Sequence, residues 1–219
     1  MTNKLQLSLN IDCNPLKNMK LLAFTDVHGS LLALKRIEQK AKTQNPDVMI
    51  CAGDITIFEH GIISLMKRLD RLNKKILIIH GNHENSSTFI KCSKLFKNIV
   101  LIHKNYFIED NALFLGYGGG GFSIIDKVFE KVVQNKFKKI IKENEDKKII
   151  LVTHAPPYKT KLDKLVGGHA GNKSIRNFIE KNKIDLLICG HLHENFGKED
   201  KIGKTKIINP GPFGTIISV

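Results

Sequence analysis

Apolar positions along the chain fall into short runs separated by polar turns. The first is residues 20–25, followed by residues 30–44, where Leu31, Leu34, Ile37 and Ala41 recur at helical spacing. Strand, loop and helix therefore open the fold. The pattern returns with a strand at 48–52, a helix near 62–72 and a third strand at 75–80. Three such units predict a largely parallel sheet whose loops carry the chemistry. Residues 99–117 read as short strands broken by polar pairs, which predicts antiparallel additions and a mixed sheet system. Residues 124–142 predict one long amphipathic helix with Ile125, Val128, Val132, Phe137, Ile140 and Ile141 on or near one face. A strand at 148–153, a helix at 172–182 capped by Asn172 or Ser174, and a strand at 185–189 follow. Residues 204–219 predict two strands separated by the Asn-Pro-Gly-Pro turn at 209–212.

With 219 residues, 42% of them hydrophobic, the chain can bury a substantial core and falls in the size range of one domain. We place that domain at 19–219, after a polar extension at 1–18. The extension lacks the apolar stretch of a signal peptide, and no run of about 18 apolar residues occurs, so a cytoplasmic protein without a membrane span is expected. Cys13, Cys51, Cys92 and Cys189 lie far apart and form no C-x-x-C pair, which argues against a zinc knuckle or a redox motif. The formal charge of +14 suits an acidic partner, either nucleic acid or a small phosphorylated molecule, or simply a solvated lysine-rich surface. Only Arg36, Arg68, Arg71 and Arg176 are arginines, and base reading favours the guanidinium fork.

What changes this picture is the placement of polar residues just after the expected strands. Asp26 and His28 follow the first, Asp54 the second, Asn82, His83 and Glu84 the third, His154 the strand at 148–153, and His191 and His193 the strand at 185–189. If the backbone there stays extended, residues two apart point to one side, so Asp26 with His28 and His191 with His193 each present two ligands together. Glycines before Asp54, Asn82 and His191 would let the backbone turn tightly and approach the ions. Each block alone is an ordinary turn or surface feature; five in order at strand ends point to a metal site.

The ordered blocks D-x-H, G-D, G-N-H-E, a single H and G-H-x-H resemble the calcineurin-like metallophosphoesterase family, over roughly residues 20–213. The resemblance implies an α/β fold of four layers, two mixed sheets packed face to face with helices on both outer sides. It implies two divalent metal ions, one held by Asp26, His28, Asp54 and His193 and the other by Asp54, Asn82, His154 and His191, with Asp54 shared. A carboxylate suits that place, having two oxygens to span ions about 3.5–4 Å apart. Two divalent ions less two carboxylates leave a site with a positive charge of about two, able to bind phosphate and to yield a bridging hydroxide near neutral pH. The N/O donor set suits Mn, Fe, Zn, Ni or Co and does not by itself rank them; Mn is the ion we expect. The resemblance makes His83 a catalytic residue that stabilises the transition state or protonates the leaving oxygen; otherwise it is a packing histidine. Glu84 stands where many members have Asp and is expected to orient His83.

Two softer features remain. The glycine-rich stretch at 116–121 formally contains G-x-G-x-x-G, yet lacks a nucleotide-binding unit around it and reads as a flexible connection. Residues 154–158 and 167–174 resemble a branch related to small phosphodiesterases, in which His169 would contact a substrate phosphate; a loop histidine with no direct role is the alternative. The leading expectation is hydrolysis of a phosphodiester or phosphomonoester in a small molecule, such as a nucleotide. A nuclease is the second reading, and a non-catalytic protein-binding scaffold the third.

Overall fold

The computed structural model describes residues 18–219, so the extension expected at 1–18 lies almost entirely outside the described residues. Strands β1 (Lys20–Phe24), β2 (Val48–Cys51), β3 (Ile76–Ile78) and β4 (Ile99–Leu101) run parallel, alternating with helices α1 (Leu31–Gln44), α2 (Ile62–Asp70) and α3 (Ser86–Ser93). Then come β5 (Asn105–Glu109), β6 (Ala112–Tyr117), α4 (Lys127–Val132), a π-helical turn (Val133–Phe137), α5 (Lys138–Lys142) and β7 (Lys148–Thr153). A small hairpin, β8 (Lys164–Leu165) with β9 (Gly168–His169), precedes α6 (Lys173–Lys181) and β10 (Leu186–Ile188). The chain ends with β11 (Glu199–Ile202), β12 (Thr205–Ile208) and β13 (Thr215–Ser218).

One sheet has the order β13-β1-β2-β3-β4 and the other β11-β12-β10-β7-β6-β5. Three apolar layers show how they stack. Leu22, Phe24, Met49 and Cys51 pack beneath α1, α2 and α3, while Leu113, Leu115, Ile149 and Leu151 pack beneath α4, α5 and α6. The alternate residues Leu21, Ala23, Val48, Ile50, Phe114, Ile150 and Val152 meet between the sheets. Strands buried on both faces need apolar side chains at every position, which is why they read as continuous runs. The result is the expected α-β-β-α sandwich of two mixed sheets.

Local expectations needed correction in three places. Residues 99–117 are not all antiparallel: β4 joins β3 in parallel, and only β5 and β6 form an antiparallel pair. The crossover is α3, absent from the expectation because its Ser- and Thr-rich sequence buries little beyond Phe89 and Cys92 and depends on the Asn85 cap. The long helix starts at Lys127, capped by Asp126, and its buried face is Phe129, Val133, Phe137 and Ile141, with Ile125 and Val128 56% and 49% exposed. A step of four residues drifts around a 3.6-residue helix; the wider π turn at Val133–Phe137 keeps these four on one side. The two C-terminal strands exist, but β12 pairs with β10 in one sheet and β13 with β1 in the other, so the Pro-Gly-Pro segment carries the chain across the sandwich.

Candidate metal centre

The parallel strands β1, β2 and β3 of one sheet and β7 and β10 of the other end at the same edge, and the chain after each strand contributes to one cluster. Three groups of side chains bring their ligand atoms within 4.8 Å of one another: Asp26, His28 and His193; His28, Asp54 and His83; and Asp26, Asp54 and His154. His28 Nε2 and His193 Nε2 stand 3.1 Å apart, and His193 Nε2 lies 3.5 Å from Asp26 Oδ1. His154 Nε2 is 3.3 Å from Asp54 Oδ2 and 2.9 Å from Asn82 Oδ1.

Backbone conformation delivers these groups in a way the extended-strand expectation missed. Asp26, His28, Asp54 and His191 all have positive φ, at 52°, 48°, 50° and 73°. Left-handed backbone at a non-glycine residue costs about 1 kcal/mol or more, and it persists where the surroundings over-determine it. Here they do. Asp26 N–H donates to Gly53 O, His28 N–H to Asp54 O and Gly190 N–H to His154 O, while His191 N–H donates to Asp26 Oδ2 at 3.0 Å across the two sheets. The pairs Asp26/His28 and His191/His193 therefore converge through tight turns.

The glycines act partly by what they omit. Gly53 needs its φ of +101°. Gly81 and Gly190 instead lack a Cβ where one would collide with the carboxylates: 1.9 Å from Asp54 Oδ1 at Gly81, and 2.5 Å from Asp26 Oδ2 at Gly190.

Hydrogen bonds fix the imidazoles. A carbonyl only accepts, so His28 Nδ1 donates to Thr56 O at 3.1 Å and His154 Nδ1 to Ala52 O at 2.9 Å, which turns each Nε2 into the cluster. Thr25 Oγ1 donates to Asp26 Oδ2 at 2.8 Å. His191 Nε2 is buried without a hydrogen-bond partner among the described residues, and burial lowers its pKa to about 4, so it presents a neutral lone pair. Burial opposes charge on Asp54, yet the His154 hydrogen bond and charge hold its carboxyl at about 2; burial likewise opposes charge on His154, and Asp54 raises its pKa to about 9. Facing carboxylates and an orphaned imidazole nitrogen are what divalent cations satisfy, so the residues fit a metal pair.

Glu84 does other work than expected. Its carboxylate accepts from the N–H groups of Thr56 at 2.8 Å, Gly81 at 2.9 Å and Asp54 at 3.2 Å, and from Thr56 Oγ1 at 2.8 Å. It braces the loops bearing Asp54 and Asn82, and it does not orient His83, whose buried Nδ1 has no hydrogen-bond partner among the described residues. His83 is held by its N–H, which donates to Asp54 Oδ1 at 2.9 Å, and by ring contacts with His28 and Phe58. His169 stands apart from the three groups: its Nδ1 donates to the buried Asp163 at 2.8 Å, pinning β9. That same hairpin brings Leu165 to the cavity lined by Asp54, Asn82, His83, Phe122, His191 and His193. Sequence reasoning missed Thr25 and Phe58; the loop that ends at Phe122 is where it expects substrate specificity to lie.

Residues 19–195 match the model of the family described as calcineurin-like phosphoesterase. The uncharacterized protein MJ1162 of Methanocaldococcus jannaschii is 34% identical over 209 residues, covering 90% of this chain and 89% of that one. Among solved structures, TT1561 of Thermus thermophilus shares the fold with a TM-score of 0.70 at 15% identity, covering 90% of each chain. A dimetal phosphatase from Danio rerio gives 0.62 at 10% identity, covering 87% of this chain and 86% of its own.

Proposed function

This chain belongs to the calcineurin-like phosphoesterase family, and on that footing we propose that it is a metal-dependent hydrolase cleaving a phosphodiester in a small molecule. The observation that carries the reading is the convergence of Asp26, Asp54, His28, His83, His154 and His193 at the shared edge of two sheets, with two buried nitrogens beside them, His83 Nδ1 and His191 Nε2, unpartnered among the described residues. Asp26, His28, Asp54 and His193 would hold one ion, and Asp54, Asn82, His154 and His191 the other, with manganese the first choice. When bound, the ions supply Lewis acidity toward the phosphoryl oxygens and lower the pKa of the attacking water.

The chain's own residues do the rest. Thr25 and the His191 N–H hold the Asp26 carboxylate in place, while Ala52 O and Thr56 O keep Nε2 of His154 and His28 turned toward the cluster. His83 lies beside Asp54 and His28 at the open side of the cluster, and it donates a proton to the departing oxygen as water attacks phosphorus from the opposite side. One P–O bond forms and one breaks, giving a phosphomonoester and an alcohol; the attacking water sheds a proton to solvent, from which His83 regains the one it gave. Lysine and arginine are absent from the residues lining the two cavities at the site, so a polyanion gains little grip there, which favours a small diester over a polynucleotide. Among the described residues no helix is long and apolar enough to cross a membrane, and we place the reaction in the cytoplasm.

The test is metal-stripped protein with manganese added back, assayed on bis-p-nitrophenyl phosphate and p-nitrophenyl phosphate beside Asp54→Ala. Metal-dependent turnover lost in Asp54→Ala supports the proposal, and a higher rate on the diester supports its substrate class. No turnover with manganese, iron, zinc, nickel or cobalt on either ester overturns it and brings the scaffold forward.

A further inference from the structure

We infer that Phe58 and Phe122 are specificity-determining residues, two walls of a slot that take an uncharged planar ring on each side of the scissile phosphate. This rests on the phosphodiesterase reading above.

Both phenyl groups are large, apolar and open to solvent, 72% and 66% exposed. Both nevertheless lie against the cluster: Phe58 is 4.7 Å from the His83 ring and Phe122 is 4.6 Å from the His191 ring. Single exposed apolar groups are ordinary on a protein surface; what sets these two apart is that each lies against an imidazole of the cluster.

Neither ring is there by accident of a loose loop. Phe58 and Glu59 are consecutive non-glycine residues at φ 46° and 65°, a strained arrangement for a bulky side chain. Fixed contacts hold it: Glu59 N–H donates to Thr56 Oγ1, and the Glu59 carboxylate accepts from Asn85 N–H at 2.7 Å. On the other side Gly119, Gly120 and Gly121 have φ of +78°, +97° and +39°, a succession that only glycine adopts readily. Gly119 N–H donates to His80 O before Phe122. After it, Asn172 Nδ2 donates to Ser123 O and Lys173 N–H to Ile124 O. The glycine run is thus a shaped turn that aims Phe122 at His191.

Charge sets the chemistry of the occupant. Between and around the rings the lining offers Asn82, Leu165 and Leu192 together with the carboxylates of Glu59 and Glu194, and no lysine or arginine. Among the described residues lining these two cavities, an anionic ester group finds no basic side chain beyond the histidines of the cluster itself, whereas flat neutral rings, aryl or nucleobase, stack on phenyl faces. Because Phe58 touches His83, the leaving group occupies its side; the retained ester group lies against Phe122.

Manganese-loaded wild type, Phe58→Ala and Phe122→Ala are compared on bis-p-nitrophenyl phosphate and methyl p-nitrophenyl phosphate, which share a leaving group. Loss of one stacking face is expected to change kcat/KM by about tenfold. Phe122→Ala lowers the aryl-over-methyl ratio by that factor, and Phe58→Ala lowers both substrates alike. Both variants within twofold of wild type on both substrates overturns the slot. Binding is read separately, by saturation transfer from the protein to the ring protons of diphenyl phosphate. Transfer lost in the double variant supports the slot, and transfer unchanged overturns it whatever the activity. Wild type inactive on both diesters, with ring transfer intact, removes the reaction reading and leaves the binding slot standing. Both side chains are mostly exposed, so the alanine variants keep the fold.

Discussion

Glu84→Gln exchanges one oxygen for an amide nitrogen at the brace between two ligand-bearing loops. In the native protein Oε1 accepts from Thr56 N–H and Oγ1, both at 2.8 Å, and Oε2 accepts from Gly81 N–H at 2.9 Å and Asp54 N–H at 3.2 Å. All three amides are backbone donors and cannot reverse. Whichever way the glutamine amide turns, its NH2 faces at least one buried N–H and a second group that was being accepted. Each donor stranded in a buried site costs about 1–3 kcal/mol. Neutralisation offsets part of that, because burial already pushes the Glu84 pKa up and makes its charge a cost. The balance is a loss of about 3 kcal/mol, or about 6–12 °C in Tm for a chain of this size. Thermal and urea unfolding of metal-free protein measures it, and manganese titration should show weaker binding because Asp54 and Asn82 sit on the loosened loops. Stability within about 1 kcal/mol of wild type, with unchanged metal affinity, would refute the brace.

Gly81→Ala places a methyl carbon 1.9 Å from Asp54 Oδ1 and 2.6 Å from the Asp54 backbone nitrogen, so it should lower Tm and cut metal affinity by about 100-fold, read by thermal unfolding and calorimetry. Metal uptake at pH 7 should release protons, because His154, held at about 9 by Asp54, must lose its proton to ligate, and the raised pKa of His193, caused first by its hydrogen bond to Asp26, adds to the release. Titration in buffers of different ionisation enthalpy counts them, and apparent affinity should rise with pH up to about 9. In metal-free protein the sign reverses: the raised His154 pKa contributes stability fully present below about pH 6.5 and lost as pH rises through 9. His191, lowered to about 4 by burial, contributes stability present above 6.5 and lost as pH falls through 4, so unfolding curves across pH should show both limbs. Phe114→Ala, emptying a fully buried position between the sheets, should cost about 3–5 kcal/mol in urea unfolding.

Much of the site was visible in order along the chain because each polar block follows an apolar run that ends a parallel strand. Less visible was how the blocks meet. The left-handed turns at Asp26, His28, Asp54 and His191 carry no strong local code, since Asp and His tolerate but do not require them. Glu84 read as a partner of His83 from its place beside that histidine in the family's pattern, whereas the donors it accepts from on Asp54 and Thr56 lie 28 to 30 residues away. The π turn was hidden because a run of apolar residues fits a 3.6-residue helix approximately, and only packing against β6 and β7 selected Phe129, Val133, Phe137 and Ile141.

By itself the sequence determined the class of fold and the identity of the polar blocks, because burial on both strand faces and glycine beside carboxylate are written into local residue choice. Only the tertiary structure decided which sheet each C-terminal strand joins, which atoms converge within 4.8 Å, and that Phe58 and Phe122 flank them. Those are distances between segments far apart in the chain, set by the packing of two sheets that no local pattern encodes.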